Sequence, residues 1–183
     1  MQIRPAEAEE CESIRRVSAR SCRAAYDGIL DDETLIEMVE DPSFSERIRE
    51  WLEETGDDDR VIYLVAVVDG DTTGEAVVGF VQVLTDERTP DRTETDEAFL
   101  KSLYVHPNHW GQGIGSQLLE AAVGRLPASV TTLSLGVLTD NDIGRSFYEK
   151  QGFEPVDTGA YEVDDVGYET TIYAKALEAD DSE

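Results

Sequence analysis

The chain has 183 residues, 40% of them hydrophobic, which suits one domain with one core. Forty-one acidic against fifteen basic residues give a formal net charge of −26. That balance disfavours a nucleic-acid backbone as partner, and no uninterrupted apolar run reaches the ~18 residues of a membrane span.

The N-terminal MQIRPAEAEE reads as neither a signal peptide nor a lipidation motif, so a soluble cytoplasmic protein is expected. The acids are spread along the chain, at 31–33, 57–59, 164–165 and in the C-terminal tail, and only Lys101, Lys150 and Lys175 are lysines. This is the surface expected of a halophilic acidic protein of haloarchaeal type: in molar salt the Debye length shrinks to ~3 Å and self-repulsion is largely cancelled. The competing reading, an acidic binder of basic partners, finds no aromatic anchors beside the acids.

In chain order, residues 2–4 read as a short strand and residues 6–25 as a helix with Ile14, Val17, Ser21 and Cys22 inward. Cys11 and Cys22 share a helix face but stand roughly 16 Å apart along the axis, too far for a disulfide; both are expected reduced and half-buried. Residues 26–30 break the pattern before a second helix capped by Asp31 or Asp32. A third helix starts at Ser43, which with Glu46 makes a capping box, and Phe44, Ile48, Trp51 and Leu52 form its apolar stripe. Residues 56–60 are a charged linker. Residues 61–68 and 76–84 are β-branched runs around Asp69, Gly70, Asp71 and Gly74, an antiparallel hairpin. Residues 85–95, with Pro90, read as a mobile loop.

A strand at 97–105 leads into LYVHPNHWGQGIGSQLL, residues 103–119. A turn at Pro107 and Asn108 and a loop with Gly111, Gly113 and Gly115 precede a helix bearing Ile114, Leu118, Leu119, Ala122 and Val123 on one side. Backbone N–H groups gathered at the positive end of a helix dipole make an anion site fit for a pyrophosphate. A dinucleotide fingerprint needs glycine at 116 or 118, and a Walker loop needs Gly-Lys at 116–117; Ser116, Gln117 and Leu118 exclude both. Beyond Pro127 come a strand at 131–138, a helix at 141–151, and a closing hairpin of residues 153–163 and 167–176 around Asp164 and Asp165. His106 and His109, without a nearby cysteine, lack a metal geometry, and no metal is expected.

The loop resembles the acetyl-CoA signature of the GCN5-related N-acetyltransferases (GNAT): Arg or Gln, two residues, Gly, one residue, Gly or Ala, after a strand ending in aliphatic-x-Val. Here Trp110, Gly111, Gln112, Gly113, Ile114 and Gly115 follow Leu103, Tyr104 and Val105, with Trp110 in the place of Arg or Gln. Residues 135–153 resemble the family's next strand and helix, with Asn141, then Tyr148 seven residues on, then Gly152 and Phe153.

The resemblance implies an α/β (α+β) GNAT fold: a mixed, twisted sheet of six to seven strands, helices on both faces, and two parallel strands splayed at the acetyl-CoA site. It covers residues 1–177 as one domain, with 178–183 a frayed acidic tail. It implies transfer of an acetyl group from acetyl-CoA to a primary amine by direct attack in a ternary complex. The main chain of Leu103, Tyr104 and Val105 would pair with pantetheine, the Val105 N–H would face the oxyanion, and the loop from Gly111 through Gln112, Gly113, Ile114 and Gly115 to Ser116 would hold the pyrophosphate. Asn141 carries over as a coenzyme contact as well as an N-cap, and Tyr148 as a coenzyme contact that protonates the leaving thiolate. Arg145 and Lys150 are either 3′-phosphate contacts or solvated cations.

Gly136 stands where some members carry a glutamate base. Glu97, acting through water, is one candidate base; no side-chain base is the other. Tyr26 and Asp27 lie, by resemblance, near the acceptor mouth. The acceptor is a small amine, a polyamine or a peptide amine, and the chain alone or as a homodimer is compatible with the sequence. The alternative function is a non-catalytic acyl-CoA-binding or sensor domain.

Overall fold

The computed structural model describes residues 1–41, 43–56, 58–70, 74–85, 96–163 and 166–177. Seven strands form one open mixed sheet in the order β1-β2-β3-β4-β5-β7-β6. Their ranges are β1 (Gln2–Pro5), β2 (Val61–Gly70), β3 (Gly74–Leu84), β4 (Glu97–Val105), β5 (Thr132–Leu138), β6 (Glu154–Val163) and β7 (Val166–Ala176). Five helices accompany them: α1 (Cys11–Tyr26), α2 (Asp32–Glu40), α3 (Phe44–Thr55), α4 (Ile114–Val123) and α5 (Asp142–Lys150). Residues 86–95 of the mobile loop expected at 85–95, the Asp164 and Asp165 turn and the tail at 178–183 lie outside the described residues.

The chain divides into two compact units, residues 1–83 with 102–125, and residues 84–101 with 126–183. In the first, α1 buries Cys11, Ile14, Val17, Ser18, Ser21 and Cys22, the stripe that a 3.6-residue period requires. Of these, Cys11, Ile14 and Val17 meet Ile48 and Leu52 of α3 and Val65, Val67 and Phe80 of the strands in one core. Consecutive residues of a strand point to opposite faces. Phe80 belongs to that core, while a Cβ at neighbouring Gly79 would meet Leu118 of α4 at 3.0 Å; α4 therefore covers the opposite face. Helices on both faces account for the unbroken buried runs from Leu64 to Val67 and Val78 to Leu84.

In the second unit, β4 and β5 are parallel over three residues each, Glu97–Phe99 against Thr132–Ser134, although the strands are nine and seven residues long. β5 then pairs along its whole length with β7, and β7 with β6, both antiparallel. Leu133, Leu135, Phe153 and Tyr173 are at most 2% exposed and fill this unit's interior.

Two local expectations are corrected. Ser43 does not make a capping box with Glu46: its backbone is helical (φ −81°, ψ −9°) and no side-chain cap forms. Its hydroxyl instead donates to Asp41 at 2.7 Å and its oxygen accepts from Arg47 at 2.7 Å, charge-assisted bonds that occupy the oxygen a cap would use. Cys11 and Cys22 are both free, as expected, but fully rather than half buried, at 2% exposure each.

Candidate active site

In the first unit the end of β4 is tied down from three sides. The His106 N–H donates to the Val78 carbonyl in β3 at 2.8 Å. Because successive peptides of a strand point in opposite in-plane directions, the Val105 N–H and C=O face away from β3. The Val105 carbonyl accepts from the Ser21 hydroxyl of α1 at 2.8 Å and from the indole N–H of Trp110 at 2.6 Å. These bonds fix the peptide that follows Val105, and through the residue's own backbone they restrict the Val105 N–H, which belongs to the preceding peptide and faces the same side; a donor to a developing oxyanion needs such restriction.

The loop that follows is built by its own backbone. Pro107–His109 form a 3-10 turn, and Trp110 N–H returns to the Pro107 carbonyl at 3.1 Å. Gly111 (φ +74°) and Gly113 (φ +79°) take the left-handed conformation that other residues resist, turning the chain into α4. Gln112 donates to the Asn108 carbonyl at 3.3 Å, bracing the turn from outside. The first amide of the helix to reach a carbonyl four residues back is Gln117, at 3.1 Å from Gly113 O. No main-chain carbonyl among the described residues receives the amides of Gly111, Gln112, Gly113, Ile114 or Gly115. The result is a row of donors at a helix N-terminus, suited to a pyrophosphate.

In the second unit Asn141 caps α5, its side-chain oxygen accepting the Gly144 N–H at 3.0 Å. The residue is 7% exposed, and a Cβ on Gly144 would come within 2.7 Å of the Asn141 side-chain nitrogen. Glycine at 144 is what lets the capping amide sit there. Tyr148, on α5, is half-buried and packs edge-on against Phe153 with ring centroids 5.6 Å apart. Arg145 donates to the Tyr173 hydroxyl at 3.2 Å and to the Thr139 carbonyl at 3.0 Å, and Tyr173 donates on to Glu149 at 3.0 Å. The Arg145 guanidinium thus ties α5 to β7. Lys150 is exposed.

Tyr26 closes α1, with its hydroxyl 3.5 Å from that of Tyr104. The neighbouring Tyr26, then burial, push the Tyr104 hydroxyl well above the usual tyrosine range. Asp27 is exposed at the end of α1. Glu97 opens β4 and Val105 ends it. Glu97 thus stands eight residues before Val105 along the chain. Gly136 is exposed, and a Cβ there would make only ordinary contact, 3.6 Å from Ile172. No cluster of three His, Cys, Asp or Glu side chains able to hold a metal occurs among the described residues, and no helix among them is long and apolar enough to cross a membrane. Sequence reasoning missed the anchoring of Val105 by Ser21 and Trp110; the only signal was the tryptophan standing at an unusual place in the loop pattern.

Comparison with known proteins adds four findings. Residues 24–153 match the model of the acetyltransferase (GNAT) family. The chain is 24% identical over 159 residues to the spermidine N(1)-acetyltransferase of Thermoplasma acidophilum, covering 86% of this chain and 91% of the relative. Among solved structures it is similar to the PaiA N-acetyltransferase of T. acidophilum in complex with coenzyme A (TM-score 0.74, 23% identity, 96% and 98% of the two chains). It is also similar to the ribosomal-protein-alanine N-acetyltransferase of Brucella melitensis (TM-score 0.69, 22% identity, 97% and 100%).

Proposed function

The chain belongs to the acetyltransferase (GNAT) family, and from that premise we propose that it moves an acetyl group from acetyl-CoA to an amine by direct attack, with Val105 at the transfer centre. The observation that carries this reading is the strand end at Val105, whose carbonyl is fixed by Ser21 and Trp110, six residues before the row of open amides at Gly111 to Gly115.

Roles follow from the chemistry each group offers. In the first unit, the main chain of Leu103, Tyr104 and Val105 pairs with pantetheine, and the amides of Gly111, Gln112, Gly113, Ile114, Gly115 and Ser116 hold the pyrophosphate. The Val105 N–H stabilises the oxygen that gains charge as the amine nitrogen attacks the thioester carbonyl. In the second unit, Asn141 contacts the coenzyme, and Tyr148 gives its proton to the departing sulfur. The proton shed by the attacking nitrogen leaves through water, for Gly136 offers no carboxylate; Glu97, acting through water, is the alternative base. Tyr26 and Asp27 are assigned to the acceptor side by analogy with the family.

Residues 1–177 form one such domain in this reading, working without a metal in a salt-rich cytoplasm, as the net charge of −26 supports. Titration with acetyl-CoA in molar KCl, followed by thiol release with a panel of amines, tests it. Saturable binding and acceptor-dependent thiol release are expected; absence of binding overturns it. Gly136, in the place of a family glutamate, favours a second reading as a non-catalytic acyl-CoA sensor, which predicts binding with no acceptor-dependent release.

A further inference from the structure

Helix α1 is basic in an acidic chain: Arg15, Arg16, Arg20 and Arg23 stand against one acid, Glu12. Arg20, Arg23 and Ala24 fall three and four residues apart, on one helix face. With His106, Pro107 and Asn108 they line an open cleft of about 480 Å³ within the first unit, and no carboxylate contributes to its lining. Arg4, Arg15, Arg47 and Arg60 each hold a carboxylate; Arg20 holds none among the described residues. Leaving a guanidinium without an acid beside a second arginine, in a chain with 41 acidic residues, is a local arrangement that a bound anion would relieve.

His106 adds to the same character. Its Nδ1 accepts the Asn108 N–H at 3.2 Å, so the ring proton resides on Nε2 and the free side of the imidazole is a donor. Burial, then His109 and Arg20, hold its pKa below the usual histidine value, which keeps that neutral tautomer. The cleft therefore presents the Arg20 guanidinium fork, with Arg23 on the same helix face, and the His106 N–H donor, a set that matches an oxyanion of carboxylate or phosphate shape. Its position is as informative as its chemistry. Arg20 precedes Ser21 and His106 follows Val105, and Ser21 and Val105 are joined at 2.8 Å. The cleft adjoins the peptide given the central role above.

We propose that this cleft binds a carboxylate or phosphate carried by the acceptor, so that the enzyme acetylates zwitterionic or anionic amines. The assignment rests on the reading of Val105 as the transfer centre. A polyamine, the substrate named for the Thermoplasma relative, would bring positive charge against Arg20 and Arg23 and is the disfavoured class.

Matched acceptors test it: phosphoethanolamine against ethanolamine, β-alanine against its amide, with spermidine as polycationic control. Thiol release is followed in molar KCl for the wild type and the double variant Arg20→Gln/Arg23→Gln. Wild-type kcat/KM should favour the oxyanion-bearing member of each pair by about ten- to a hundredfold, and the preference should fall to near unity in the variant while acetyl-CoA affinity is unchanged. No preference, or a preference that survives in the variant, overturns the proposal. So does a variant that loses acetyl-CoA affinity but keeps its acceptor preference, since the cleft would then serve the coenzyme's own phosphates. A titration with inorganic phosphate, read on the His106 ring by NMR, is independent of turnover: a saturable shift lost in the variant is expected, and no shift overturns the oxyanion site. If phosphate shifts His106 but acetyl-CoA neither binds nor turns over, the catalytic reading and the acceptor assignment fall together while the oxyanion site stands.

Discussion

The indole N–H of Trp110 donates to the carbonyl of Val105 at 2.6 Å. A residue that departs from the loop pattern at its first position is thus joined to the strand end that the pattern follows. Ser21 supports the same carbonyl from α1. A net hydrogen bond is worth ~1 kcal/mol, so Trp110→Phe and Ser21→Ala should each lower kcat by about three- to tenfold with little change in acetyl-CoA affinity. The double variant should lose more than either. Steady-state kinetics beside a direct binding titration would check this; an unchanged kcat in the double variant would remove Val105 from the transition state.

Gly144→Ala inverts an ordinary helix rule. Alanine inside a helix is normally favoured over glycine by ~1 kcal/mol. Here the added carbon would stand 2.7 Å from the Asn141 side-chain nitrogen and 3.2 Å from Val137. Loss of the Asn141 cap should lower Tm and weaken acetyl-CoA binding together. A variant with raised Tm and wild-type affinity would show that Asn141 yields at no cost.

Replacing Tyr148 by phenylalanine keeps the ring that packs on Phe153 and removes the hydroxyl alone. Turnover should drop by roughly ten- to a thousandfold, with coenzyme affinity and stability close to wild type. Undiminished turnover would assign thiolate protonation to water.

Gly136→Glu asks whether a base has been given up. The position is exposed and a Cβ has ordinary room beside Ile172, so the variant should fold. A carboxylate there should raise kcat/KM most for acceptors whose amines are protonated at assay pH, and move the acid limb of the pH profile downward. A profile identical to wild type would mean that deprotonation does not limit the reaction.

Salt should act on the coenzyme step. CoA and a chain of net charge −26 repel each other in dilute buffer, and screening in molar KCl should lower the KM for acetyl-CoA. Circular dichroism on the same samples separates this from refolding; a rising KM in folded protein would contradict it.

Much of this fold is legible in the sequence because the deciding interactions are local. The strand Glu97–Val105, the stripe of α1 and the cap at Asn141 follow from periodicity and from side chains bonding within three residues. The same holds for the loop glycines at 111 and 113, whose backbone angles are a local demand. What escapes is set by partners far apart in the chain: Ser21 reaches Val105 across 84 positions and Arg145 reaches Tyr173 across 28. Ser43 shows a local rule losing to a charge, since Asp41 and Arg47 redirect the hydroxyl that would have capped α3. The basic cleft escaped for a related reason: net charge averages over the chain, whereas Arg20, Arg23 and His106 act on one small volume.

Gly79 lies behind the strand end, where even one methyl would press on Leu118 at 3.0 Å, Tyr104 O at 3.1 Å and the Val105 side chain at 3.3 Å. The clearance that seats α4 against the end of β4 is therefore governed from the rear of the sheet. Variation is therefore constrained at a point remote from the loop: a substitution at the hidden glycine would press on helix and strand at once and dull catalysis without touching either reactant.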